Sequence, residues 1–136
     1  MFGFDMMQCK NIVELEYKAY LEELKQGKKV GEAINDAWKK GAPRVFMSYE
    51  LLRRHISHRH NHGDYYGVTN KALRDFLDVM YEWWLENHPT GRWQYLCLLE
   101  RMEQPAPWTV GRSRFSAHIY KYLRGEYKNS PVYSIY

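Results

Sequence analysis

Two Ala-Pro dipeptides, Ala42-Pro43 and Ala106-Pro107, stand 64 residues apart, each shortly after a helical pattern. Proline has no N–H to give a helix, and it forces the residue before it into an extended conformation. Helices are therefore interrupted twice at the same relative place. Sliding the chain by that interval aligns 9–43 with 73–107 without a gap. Ile12 then falls on Phe76, Val13 on Leu77, Tyr17 on Tyr81, Tyr20 on Trp84, Ile34 on Leu98 and Trp38 on Met102. A one-residue slip sets Leu52 on Phe115, His55 on His118 and Ile56 on Ile119. This self-similarity predicts an internal duplication.

Each half reads as three helices. Cys9, Ile12, Val13, Tyr17, Tyr20, Leu21 and Leu24 form one helical stripe that Gly27 ends. Val30, Ile34, Ala37 and Trp38 form a second, closed by Lys39-Lys40-Gly41. Ser48 is placed to cap a third over 48–58. In the other half, Thr69 or Asn70 caps a helix that His88-Pro89 ends. A second carries Tyr95, Leu98, Leu99 and Met102, and a last runs over 112–124. Segment 57–68, polar and His-rich, reads as the linker, and Arg44 to Met47 is extended enough for a short strand. The expected fold is all-α: two similar three-helix units, about six helices, packed as one compact domain. The first unit is expected to span 1–62. The second spans 63–136 and ends in an aromatic tail.

The segment Ala42-Pro43-Arg44-Val45-Phe46-Met47-Ser48, followed by a helix, resembles small uncharacterised bacterial and phage proteins. That group carries an A-P-R-F-Y-hydrophobic-S segment between two helices, echoed later as P-A-P, as in Pro105-Ala106-Pro107 here. This chain departs from it at Val45-Phe46, and Trp108-Thr109-Val110-Gly111 keeps little of the motif. The resemblance implies a bacterial or phage origin and brings no activity with it.

Charge is distributed in blocks. Segments 9–36 and 71–104 are net acidic, whereas 39–62 carries 6 basic residues and 1 acidic, and 108–128 carries 5 and 1. The whole chain is +4. No apolar run reaches the roughly 18 residues of a membrane span, so no membrane partner is expected. Met1-Phe2-Gly3-Phe4-Asp5 has no charged region ahead of a long apolar one. Two cysteines are too few for a disulfide scaffold. These features predict a cytoplasmic protein, or one of the virion or host cytoplasm if phage-encoded.

No Ser/His/Asp elbow, glycine-rich phosphate loop, Cys-x-x-Cys or His-Glu-x-x-His is present. The sequence therefore predicts neither an enzyme nor a cofactor. His55, His58, His60 and His62 are weak metal candidates, because imidazoles suit Zn, Ni or Cu but the spacing suits no single site. The stronger signal is the two basic third helices. Arg53, Arg54, Arg59, Arg112, Arg114 and Lys121 are the expected phosphate ligands of DNA or RNA. The bland alternative is that these cations solvate helix ends. The rival function is a structural or adaptor protein of a bacterial or phage assembly. Trp108, Tyr133 and Tyr136 would then anchor a protein partner or self-association.

Overall fold

A computed structural model describes residues 6–126, with side chains from residue 12 onward. The described chain is all-α. Six helices follow in order: α1 (Met6–Leu24), α2 (Val30–Lys40), α3 (Tyr49–His62), α4 (Lys71–Asn87), α5 (Cys97–Arg101) and α6 (Arg112–Leu123). A short 3₁₀ turn, Gly91–Trp93, leads into α5. The ends follow local chemistry. Ser48 Oγ accepts the Leu51 N–H at 3.2 Å to start α3. Asn70 Oδ1 accepts the Ala72 N–H at 2.8 Å to start α4. His88, ahead of Pro89, is extended and stops α4. The third helix runs past the expected residue 58 to His62, where Gly63 adopts the left-handed conformation and returns its N–H to Arg59.

The helices form two bundles, each with its own core. α1 and α2 pack with α6 around Ile12, Tyr20, Ile34, Ala37, Phe115 and Ile119. α3 packs with α4 and α5 around Leu52, Ile56, Phe76, Met80, Trp84 and Leu98. The expected units 1–62 and 63–136 are therefore not the bodies that pack. Each sends its third helix to the first two helices of the other.

The reason lies in the Ala-Pro segments. Pro43 and Pro107 keep the chain extended, so neither third helix turns back on its own pair. The two segments meet instead. The Ala42 N–H donates to Ala106 O at 2.7 Å and the Ala106 N–H to Ala42 O at 3.0 Å. This isolated antiparallel bridge replaces the expected strand at Arg44 to Met47. Within that stretch Val45 and Met47 enter the α3/α4/α5 core, and Phe46 enters the other. Two indoles fasten the crossing. Trp38 Nε1 donates to Val110 O at 2.9 Å and Trp108 Nε1 to Ala37 O at 3.2 Å.

Gly41 holds the approach to this crossing. Its φ is +85°, and a Cβ there would lie 2.8 Å from Ala106 O. Gly27 shares the φ but has nothing within 4 Å. Gly27→Ala is expected to lose about 1–3 kcal/mol from backbone strain alone. Gly41→Ala is expected to lose more, because backbone must also move. Urea denaturation of both variants measures the difference. Equal losses would mean that the crossing yields freely.

Candidate nucleic-acid interface

The extra turns of α3 bring the basic and histidine-rich block onto one helix, and its residues divide by face. Leu51, Arg54, His58 and Asn61 recur at helical steps along one side. With Arg53, His55, Ser57, His62 and Tyr66 they line an open groove of about 440 Å³. Arg53 and Arg54 are exposed, and no carboxylate lines the groove. Charged residues of one sign on a concave wall concentrate the field that attracts an anion.

The four histidines do not converge. The His58 and His62 rings lie side by side, their centroids 4.4 Å apart and their planes tilted by 37°. His58 Nδ1 lies 2.8 Å from the Asp64 carbonyl oxygen, and the nearer Asp64 carboxylate oxygen is 3.8 Å away. His55 is half-buried; burial, then the His58 charge, depresses its pKa. His60 turns the other way and meets the Trp84 ring edge-on at 4.9 Å. Among the described residues, no three His, Cys, Asp or Glu side chains are placed to hold a metal ion.

Arg59 also leaves the groove. Its guanidinium sits 4.7 Å over the Tyr81 ring, in a shallow hollow with Asp78 and Glu82. Arg53 and Arg54 thus share a site that Arg59 does not enter.

α6 carries the counterpart surface. Arg114, Ala117, Lys121 and Arg124 recur at the same helical steps as the α3 stripe and are exposed. Arg112 lies at the start of the helix, off that line. α6 contains no acidic residue. The helices beneath are acidic, and several of their carboxylates are engaged elsewhere. Glu23 accepts from Lys28 at 2.5 Å and from Lys40, and those hydrogen bonds hold its carboxyl below the usual range. Asp75 pairs with Lys71, and Asp78 accepts from the Tyr65 hydroxyl at 2.7 Å. Among the described residues, no carboxylate forms an ion pair with Arg53, Arg112, Arg114 or Lys121.

One acid beneath α6 is buried. Glu16 is fully covered, and its carboxylate meets His118 Nδ1 at 2.9 Å. Burial pushes its pKa up; the His118 hydrogen bond and charge oppose that shift. In the other bundle, Met80 occupies the place of Glu16 and His55 that of His118.

A further hollow lies elsewhere. About 510 Å³ opens beside the crossing, between Trp38, Lys39, Ala72, Asp75 and Pro107. Its mixed charge makes it a poorer match to a polyanion than the α3 groove.

Trp108, expected as a partner anchor, is 5% exposed. Its ring packs against Phe115 at 5.3 Å, so it is a core residue that the break at Pro107 concealed. Tyr133 and Tyr136 lie outside the described residues. Sequence reasoning missed Tyr66, which lies in the expected linker. Gly63 as a helix stop was the available signal, because it lengthens α3 and shortens the return to Tyr66. It also missed Glu16, which stands four residues from both Ile12 and Tyr20 and so falls on their buried face.

No protein-family model, curated protein or solved structure matches the chain. No helix among the described residues is long and apolar enough to cross a membrane.

Proposed function

We propose that this protein binds nucleic acid without catalysis, contacting phosphates through the basic faces of α3 and α6. The observation that carries the reading is the α3 groove, which Arg53 and Arg54 line together with His55, His58 and His62. The planar fork of arginine suits phosphate oxygens. Arg114 and Lys121 continue the contact on α6, with Arg112 at its start. Arg59, held over Tyr81, adds to the field rather than to the contact.

The test is fluorescence anisotropy with labelled 30-mers, single- and double-stranded, at 50 and 200 mM salt. Five phosphate contacts, at a slope of about −0.9 each, predict a loss of about five hundredfold between those salts. Arg53→Ala combined with Arg54→Ala is expected to weaken binding and to flatten the log–log salt slope by nearly one unit per arginine. Absence of binding to either oligomer at 50 mM salt refutes the proposal.

A second reading, an adaptor or structural protein of a bacterial or phage assembly, draws on a different surface. Trp93, Leu96 and Leu99 are 55%, 37% and 48% exposed and stand three residues apart along one run of helical turns. Failure of nucleic-acid binding would make that patch the next surface to probe.

A further inference from the structure

Tyr66 is 79% exposed, more than any other large apolar side chain among the described residues. The turn after α3 creates that exposure. Gly63, at φ +86°, reverses the chain. Tyr65 then turns inward, its hydroxyl bound to Asp78, and Tyr66 is left outside. Its ring centroid lies 5.7 Å from that of His58, which is in turn 4.4 Å from that of His62. The three rings, tilted by 51° and 37° from one to the next, line the groove that also holds Arg53 and Arg54. A carbonyl oxygen only accepts, so His58 Nδ1 donates its proton to Asp64 O, which fixes the plane of the middle ring.

We infer that this groove takes an unpaired nucleotide strand, with a base stacked on Tyr66 and phosphates on Arg53 and Arg54. The inference rests on the nucleic-acid reading above and adds the strand state and the base contact to it. Bases within a duplex are stacked on one another and offer only their edges. An exposed ring gains contact only from a base with a free face, and such stacking accepts any base. The volume, about 440 Å³, is that of a small-ligand site and suits a single nucleotide. The arginines supply the salt-dependent part of the affinity and the rings a part that salt does not screen.

The test uses the full chain and three labelled 12-mers: single-stranded oligothymidine, a duplex of equal length, and a single strand of abasic sites. The single strand is expected to bind tighter than the duplex. Tyr66→Ala is expected to weaken the thymidine strand between about 5- and 150-fold. It should leave duplex and abasic affinities unchanged, whereas Tyr66→Trp should retain strand binding. The exposure of Tyr66 predicts an unchanged urea midpoint, which checks that Tyr66→Ala still folds. A duplex bound as tightly as the single strand overturns the inference and leaves phosphate binding standing. The same follows from an equal Tyr66→Ala loss on the abasic strand. If none of the three binds at 50 mM salt, both the inference and the reading beneath it fall.

Discussion

Replacing His118 by alanine is expected to destabilise the protein by about 3–5 kcal/mol at pH 7.5, because a buried carboxylate loses its hydrogen-bonded partner. That is a large share of the roughly 5–15 kcal/mol that holds a domain folded. The expected loss depends on pH. Burial raises the Glu16 pKa in the folded chain above its unfolded value. A group shifted that way stabilises the fold fully below its unfolded pKa, and the contribution is lost as pH rises through the folded pKa. Without His118 the two opposing influences disappear and the upward shift grows. The penalty should therefore be small near pH 4.5 and rise steadily towards neutrality. Glu16→Met in the His118→Ala background should restore most of the loss, since Met80 already occupies the corresponding place in the other bundle. Urea midpoints of the three variants at pH 4.5, 6 and 7.5 measure this. A loss under 1 kcal/mol, or one independent of pH, would mean that Glu16 reaches solvent when His118 is gone.

Trp108→Ala carries a similar expected loss, about 3–5 kcal/mol, typical of a large aromatic removed from a core. The variant loses the contact with Phe115 and the indole hydrogen bond to the Ala37 carbonyl. That carbonyl belongs to the last turn of α2, where helix acceptors lack partners of their own. Trp108→Phe keeps much of the volume and should lose only about 1–2 kcal/mol. Thermal and urea unfolding of the two variants, side by side, separate packing from the hydrogen bond. Unchanged stability in Trp108→Ala would return the residue to the role of surface anchor.

The helices were legible because apolar spacing and caps agree. Ser48, Asn70 and Pro89 mark boundaries through chemistry that acts within a few residues. The pairing of helices was not legible. Ile12, Tyr20 and Ile34 present a face much like that of Phe76, Trp84 and Leu98, so either third helix fits either pair by pattern alone. The choice is made by the two Ala-Pro segments, and only their meeting in space shows it. The site was half legible. Arg53 and Arg54 followed from the charge block, since exposed cations need no particular neighbour. Tyr66 did not, because which of two adjacent tyrosines faces outward depends on the left-handed turn at Gly63. The direction of Arg59 was not legible for the same kind of reason: a one-residue step along a helix is about 100° of rotation, enough to turn it onto Tyr81.

The exchange of third helices makes the bundles unequal in time as well as in sequence. α3, α4 and α5 are consecutive, so their bundle is complete in a nascent chain before α6 exists. α1 and α2 are made first yet lack their third partner until the end of the chain emerges. The earlier core is in effect an insertion within the later one, and His118 must close on Glu16 across 102 residues. Long-range closure of that kind slows folding. During synthesis the amphipathic faces of α1 and α2 stand uncovered, and it is there, rather than around the middle of the sequence, that the growing chain is open to chaperones and to misassociation.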